Sequence, residues 1–211
     1  VVRAGLQRMD RQSGPRRNWR PNVLLFDEAG HDRHASIRAF ATTLASGHGM
    51  VTDFALAGSG AWRPAPREDG AAAGVFERTL VTADRLDTIA TLCRYHGFSG
   101  LEPNAVLLPW RERLGRTDAF LHALRSAAAS GLNILLFEEG HPDRPERPLI
   151  HVWWSRQAGN LALSVALLRF ITRAEDWERA EIVVFLVADD VEEDELIRAR
   201  AERFLAENRL E

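Results

Sequence analysis

Acidic residues and histidines cluster in three places where they could take part in chemistry. Residues 27–33 (DEAGHDR) follow the first apolar run, Glu138-Glu139 stands near His141, and a series of carboxylates covers 189–195. General acid–base catalysis and metal binding both use such side chains. Their spacing matches no catalytic, zinc or calcium motif, and acids at a helix start explain 189–195 better. No serine or cysteine stands in a nucleophile motif, so no catalytic or metal site is predicted.

A nucleotide is the one cofactor for which the sequence offers candidate residues, namely Asp27, Gly30 and His31. They follow the first predicted strand, and open α/β sheets often bind ligands at the carboxyl ends of their strands. The segment has a single glycine, however, and lacks both the GxGxxG pattern and the lysine of a phosphate-binding loop. A weak adenine nucleotide site formed by backbone amides is therefore an open alternative.

The composition is that of a soluble globular protein of 211 residues, with 45% hydrophobic and 27% charged residues. All 27 basic residues are arginines. The net charge of −3 argues against a nucleic-acid-binding protein, which is usually basic. The single cysteine, Cys93, excludes an internal disulfide and lies on an apolar helical pattern, so we expect it to be buried.

Charge is distributed unevenly along the chain. Residues 1–20 carry a net charge of +5, and the rest of the chain carries −8. Val2, Leu6 and Met9 have helical spacing, so residues 1–17 are predicted to form a short amphipathic helix. This basic segment is either a solvated tail or a juxtamembrane helix attracted to anionic lipid of the inner leaflet. Because the chain begins at Val1, we expect it to be a fragment with a membrane region upstream.

Apolar runs alternate with helical patterns through most of the chain. Five strands are predicted by residue 137, with helices between them and a Gly-, Ala- and Pro-rich loop at 58–74. Thr82 is the predicted N-cap of the helix that follows the third strand. This alternation of strands and helices predicts an open parallel sheet with helices on both faces. We expect a first α/β lobe at 18–139 and a proline-rich connector at 140–148. The C-terminal βαβα lobe at 149–211 either extends the first sheet or forms a second lobe.

The stretch Leu149–Val187 reads as a βαβ unit. A strand ends in Trp153-Trp154, and an apolar helix follows from about Leu161 through Leu168. Adjacent strand residues face opposite ways, so one tryptophan is predicted to lie in the core and the other against a helix layer or a partner. The helix is more apolar than one buried face requires, and we expect it to pack on more than one side.

Three collinear segments resemble the cytosolic C-terminal domain of the cation–chloride cotransporters. The first is Asn18-Trp19-Arg20-Pro21-Asn22, and the second runs from Gly97 through Pro103-Asn104 to Leu108. The third combines Val152-Trp153-Trp154, Gly159, Leu161 to Leu168, Trp177 and Val183-Val184-Phe185. The turn Gln157-Ala158-Gly159-Asn160 departs from the Asp-Asp-Gly-Gly that is common in the family.

The resemblance implies a fold like that of the universal stress proteins and a place on the cytoplasmic face of the cell membrane. It also implies a homodimer without enzymatic activity, which regulates a transporter of sodium or potassium with chloride. An upstream membrane domain of the amino acid permease type would then carry the ions. The alternative is a nucleotide-sensing module of universal-stress type with its ligand near Asp27–Arg33.

Overall fold

The computed structural model describes residues 19–28, 35–46, 49–58, 74–97, 102–138, 149–155 and 160–187, with a few helical positions between 195 and 206. The predicted helix at 1–17, the connector at 140–148 and all of the predicted 58–74 loop except its two end residues lie outside these residues. No helix in the described part of the chain is both long and apolar enough to cross a membrane.

Seven strands and four α-helices follow one another in the described residues. The strands are β1 (Asn22–Glu28), β2 (Met50–Gly58), β3 (Val75–Thr82), β4 (Ala105–Pro109), β5 (Asn133–Phe137), β6 (Leu149–Ser155) and β7 (Glu181–Val187). The α-helices are α1 (Ala35–Ser46), α2 (Arg85–Tyr95), α3 (Thr117–Ala129) and α4 (Leu161–Ile171). Short 3₁₀ helices occupy Trp110–Arg113 and Glu175–Trp177.

The first five strands form one parallel sheet with the order β3-β2-β1-β4-β5. The central strands are apolar on both sides, and all five residues of β4 are buried. Helices cover both faces of this sheet, which confirms the predicted fold class. Pairing between β1 and β4 spans only Val23–Leu25 and Ala105–Leu107, so the two strands diverge towards their carboxyl ends.

The face covered by α2 and α3 holds the larger core. Helix α2 contributes Ile89 and Cys93, and α3 contributes Phe120 and Ala123. Cys93 is 3% exposed, which confirms its predicted burial. Burial also raises the pKa of its thiol to about 11, so the sulfur stays protonated and unreactive at neutral pH.

Helix α1 covers the opposite face, where Ile37 and Leu44 pack against the sheet. Phe170, near the end of α4, is buried in the same cluster. The buried charge on this side is paired, because Oδ2 of Asp53 lies 3.1 Å from the guanidinium of Arg38. The C-terminal βαβ unit is thus packed on the first sheet through its helix.

Strands β6 and β7 form a separate, two-stranded parallel sheet in the described residues. Trp154 is 2% exposed and Trp153 is 63% exposed, which confirms that the paired tryptophans face opposite ways. Trp153 stacks on Phe185 of β7 with ring centroids 4.4 Å apart. The division of the chain into two lobes stays a prediction.

The beginning of α2 differs from the prediction. Thr82 was the expected N-cap, but it is the last residue of β3, and Asp84 is the N-cap. Asp84 has extended backbone angles, and its carboxylate accepts hydrogen bonds from the amides of Leu86 and Asp87. A carboxylate caps better than a hydroxyl because its charge favours the positive helix end. The Thr82 hydroxyl instead accepts a bond from the amide of Asp84.

Candidate functional site

Two of the three segments that carry the family resemblance meet at the amino end of the first sheet. Asn22 begins β1, and Asn104 directly precedes β4, 82 residues later. The Asn22 amide donates to Oδ1 of Asn104 at 3.0 Å, and the Asn104 amide donates to the Asn22 carbonyl at 2.9 Å. The first segment, which leads into the domain, is therefore fixed to the centre of the sheet.

The asparagine side chains extend this pairing beyond the strands themselves. Nδ2 of Asn104 donates to the Arg20 carbonyl at 2.7 Å, and Nδ2 of Asn22 donates to the Glu102 carbonyl at 3.1 Å. An asparagine amide has a donor and an acceptor in the arrangement of a peptide group, so it can act as one more rung of a ladder. Each segment is thus hydrogen-bonded through its asparagine side chain to the backbone of the other.

A third asparagine continues the arrangement on the next strand. The backbone amide and Nδ2 of Asn133 both donate to the Asn104 carbonyl, each at 2.9 Å. We call Asn22, Asn104 and Asn133 the asparagine clamp. It joins the starts of β1, β4 and β5 by uncharged hydrogen bonds, whose strength depends on geometry and hardly on salt.

Two prolines next to the clamp are each seated against a glycine. Pro21 is buried, its carbonyl accepts from the Met50 amide at 2.7 Å, and a Cβ on Gly49 would lie 2.7 Å from its Cγ. Pro103 approaches Gly97, where a Cβ would lie 2.8 Å from Cδ. Gly97 also has a φ of 122°, which disfavours any other residue. The backbone on both sides of the clamp is therefore closely packed.

Trp19, two residues before Pro21, contacts the C-terminal unit. Its ring meets Phe170 of α4 edge to face, with centroids 6.0 Å apart and an interplanar angle of 75°. Phe170 is 6% exposed and packs in the cluster that contains Val23 and Leu107. Trp19 thus lies against both the first sheet and α4.

The remaining predicted residues are spread over the C-terminal unit and β1. Leu161 and Leu168 are buried on α4, and Trp177 is half-buried in the 3₁₀ helix before β7. Gly159, Gly30 and His31 lie outside the described residues. Asp27 lies in β1, and its side chain is also outside them. The structure brings Trp19, Arg20, Pro21, Pro103 and Asn104 together at one place, with Trp153, Trp154, Leu161, Leu168 and Trp177 in the βαβ unit.

The carboxyl end of the same sheet is lined with charged side chains. Arg85, the first residue of α2, donates from Nε to Glu112 at 2.9 Å and from a terminal nitrogen to the Phe26 carbonyl at 3.1 Å. Both ion-pair side chains are largely buried, at 16% and 19% exposure. Arg85 therefore reaches the end of β1 on the side where β1 and β4 diverge, a usual ligand position in open α/β sheets.

The amino end of α2 is occupied as well. The hydrogen bond from the Asp87 amide, and next that from Arg116, holds the pKa of the Asp84 carboxyl below its ordinary value. Arg113 stacks over the Trp110 ring at 4.3 Å, and Arg111 pairs with Glu138 at 3.0 Å. Because Asp84 already accepts from the amides of Leu86 and Asp87, these two amides are not available to a phosphate.

Comparisons with known proteins agree with the motifs. No family model matches the chain. Potassium/chloride cotransporter 3 of Caenorhabditis elegans is 26% identical over 125 residues, which cover 56% of this chain and 12% of that protein. The crystal structure of the cytoplasmic domain of a prokaryotic cation chloride cotransporter is 17% identical and has a TM-score of 0.62. That match covers 89% of this chain and 74% of the other. This chain has the fold of a cation–chloride cotransporter cytoplasmic domain.

The resemblance inferred from the sequence is thereby confirmed, and the chain spans about an eighth of the length of its curated relative. In this cotransporter-type fold, sequence analysis missed the roles of Asn133 and Phe170 and the pairing of Asn22 with Asn104. A signal for the clamp is present, because three strands start at the same kind of dipeptide: Asn22-Val23, Asn104-Ala105 and Asn133-Ile134. No comparable signal marks Phe170, which is one apolar residue among many on α4.

Proposed function

We propose that this chain is the cytosolic regulatory and dimerisation domain of a membrane transporter for sodium or potassium with chloride, and that it catalyses no reaction. Within the full-length protein it lies on the cytoplasmic face of the cell membrane. Residues 1–17 form the juxtamembrane helix that joins it to the membrane domain, and their arginines attract anionic lipid of the inner leaflet.

The asparagine clamp is the observation that carries this proposal. It fixes the segment just after the juxtamembrane helix to the start of β4 through bonds that cross 80–84 residues. Two of its three residues, Asn22 and Asn104, also belong to two of the motifs that resemble the cotransporter family. A domain that receives a signal through its first residues needs such a fixed point, since otherwise motion of the linker would fray β1 instead of moving the domain.

Ion uptake by the full-length protein tests the transport assignment. We expect a potassium or sodium tracer to enter vesicles only when chloride is present, and removal of residues 18–211 to change the rate. The Asn104→Ala variant should change it in the same direction. Uptake that ignores chloride would refute the transporter assignment, and an unchanged rate after truncation would refute the regulatory role.

The outer face of β6 and β7 supports dimerisation of this domain. Leu149, Trp153 and Val187 are 40%, 63% and 46% exposed, and Phe185 stacks on Trp153 beside them. Exposed aromatic residues are enriched where proteins associate. Sedimentation equilibrium should show dimers that Trp153→Glu weakens. Tyr95→Glu is the matched control, because Tyr95 is an aromatic residue on α2, away from β6 and β7 in the sequence, and is 77% exposed. A strict monomer at high concentration would contradict dimerisation.

A nucleotide-sensing module of universal-stress type is the second candidate. The strand order supports it, since β1 and β4 diverge at the position where such sheets bind ligands. The Asp84 cap and the Arg85–Glu112 pair count against it, because they use the groups that would bind a phosphate. Calorimetry with ATP, ADP and AMP at millimolar concentration tests it, and absence of binding heat would refute it.

A further inference from the structure

The C-terminal end of α4 links the βαβ unit to the five-stranded sheet. Leu167, Phe170 and Ile171 pack against the cluster that contains Val23 and Leu107. In the amino-terminal part of α4, Leu161 and Val165 are also buried, and neither belongs to that cluster. The position of β6 and β7 relative to the first sheet therefore depends on how the last turn of α4 is held.

Two groups from different parts of the chain contact the Phe170 ring. Trp19 meets it edge to face at 6.0 Å, and the Arg173 guanidinium lies 5.7 Å from its centroid. Arg173 moves with α4, because it follows the helix directly. Trp19 belongs instead to the segment before β1, so the Trp19–Phe170 contact joins two separate parts of the molecule.

The asparagine clamp fixes the start of β1 directly after Trp19. Pro21 is buried, and both Arg20 and Asn22 are bonded to Asn104, so β1 begins from a fixed point. Trp19 lies just outside that point. A displacement of the preceding chain would reach Trp19 first and would have to break the clamp before it reached β1.

We propose that the Trp19–Phe170 contact couples the segment before β1 to the β6–α4–β7 unit. Displacement of Trp19 loosens α4 and the two-stranded sheet and leaves the five-stranded sheet intact. The regulatory meaning rests on the proposed function, in which residues before β1 lead to a membrane domain. Through this coupling, a displacement of the linker at Trp19 would change the order of the βαβ unit, including the face that exposes Trp153.

Hydrogen exchange on the whole 211-residue chain, followed by mass spectrometry, tests the coupling. In Trp19→Ala we expect amides of β6, α4 and β7 to exchange roughly two- to tenfold faster, as for loss of one edge-to-face aromatic pair. Amides of β2 and α2 should exchange at the wild-type rate. Trp19→Phe should restore slow exchange. Trp19→Leu, which keeps part of the apolar volume and no ring, should give an intermediate rate, and it guards against loss of folding.

Trp110→Ala is the matched control. Trp110 also meets a phenylalanine edge to face, Phe120 at 6.2 Å and 71°, but on the α3 side of the first sheet. It should leave exchange of β6, α4 and β7 unchanged. Uniform acceleration of both sheets by Trp19→Ala, or acceleration by neither variant, would overturn the coupling. Because this experiment needs no membrane domain, its outcome is independent of the ion-uptake test of the proposed function.

Discussion

The two ends of the five-stranded sheet are held in different ways. At the amino end, Asn22, Asn104 and Asn133 join three strands by uncharged amide hydrogen bonds. At the carboxyl end, Arg85–Glu112, Arg111–Glu138 and Arg116–Asp84 join the loops and helix starts by ion pairs. The first set is defined by close geometry and the second by charge, so the two ends should respond differently to mutation, salt and pH.

This difference bears on function, because open α/β sheets usually keep their carboxyl end for a ligand. Here the protein's own side chains occupy the described part of that end, with Asp84 on the α2 amides and Arg85 beside the end of β1. The amino end instead receives the chain that leads into the domain. The same sheet can therefore serve as an anchoring platform when its ligand position is used for internal contacts.

Asn104→Ala should have the largest effect. The change removes the bonds to the Asn22 amide and the Arg20 carbonyl and leaves that partly buried amide without its acceptor. We expect the free energy of unfolding to fall by about 2–3 kcal/mol. Urea denaturation followed by circular dichroism measures it, and the loss should be the same at low and high salt.

Asn133→Ala serves as the control for the clamp, because it removes one side-chain bond and keeps the backbone bond to Asn104. Its cost should be about 1 kcal/mol. Equal losses for Asn104→Ala and Asn133→Ala would show that Asn104 is no more central than its neighbour and would contradict the clamp as described.

Arg85→Ala should have the second-largest effect on stability, and it should act at the carboxyl end of the sheet. It leaves Glu112 largely buried without its guanidinium and removes one donor from the Phe26 carbonyl. We expect a loss of about 1–2 kcal/mol, which shrinks as salt rises. Arg111→Ala is the matched control, since its pair with Glu138 is 68% and 47% exposed and should contribute at most about 0.5 kcal/mol. Identical salt dependence for Arg85→Ala and Asn104→Ala would remove the contrast between the two ends.

The fold could be predicted from the sequence because its main signals are local. Apolar runs such as Asn133–Phe137 predict the strands, and glycines predict where the helices end. The alternation of strands and helices predicts a parallel sheet. The opposite orientation of Trp153 and Trp154 followed from the strand period alone. The misplaced N-cap of α2 shows the limit, since Thr82 and Asp84 are both capping residues and only the end of β3 decides between them.

The candidate site was harder to predict from the sequence, because its contacts join residues that are far apart in the chain. Trp19 and Pro103 were singled out through a family resemblance, and nothing in their spacing states that they lie at one end of the sheet. The meeting of Asn22 with Asn104 depends on β1 and β4 being neighbours, which the strand order alone reveals. The Trp19–Phe170 contact depends further on how α4 packs, and single-sequence patterns carry no such tertiary information.

His96 should give the amino end a pH response of its own. Burial, and next the charge of Arg78, lower the pKa of this imidazole below its ordinary 6.5, and its ring meets Phe54 edge to face at 5.0 Å. The unfolded chain therefore takes up the proton more readily, so stability is full above pH 6.5 and falls as pH drops through the folded-state pKa. In His96→Gln, the midpoint of urea unfolding should depend less on pH in the range below 6.5. An unchanged slope would assign it to another group.

Asp84 should give the carboxyl end the smallest change of stability with pH. This change should occur in a different pH range from that of His96. Its folded-state pKa lies below the ordinary 3.8 because the amide of Asp87 and then Arg116 stabilise the carboxylate. Its stabilising effect is therefore complete above about pH 5 and is lost as pH falls through 3.8 and then through the folded-state pKa. The stability difference between the wild type and Asp84→Asn should be constant at neutral pH and shrink in acid. A difference that instead vanished near pH 6 would show that the two ends are coupled, because the Asp84 carboxylate does not itself titrate at that pH.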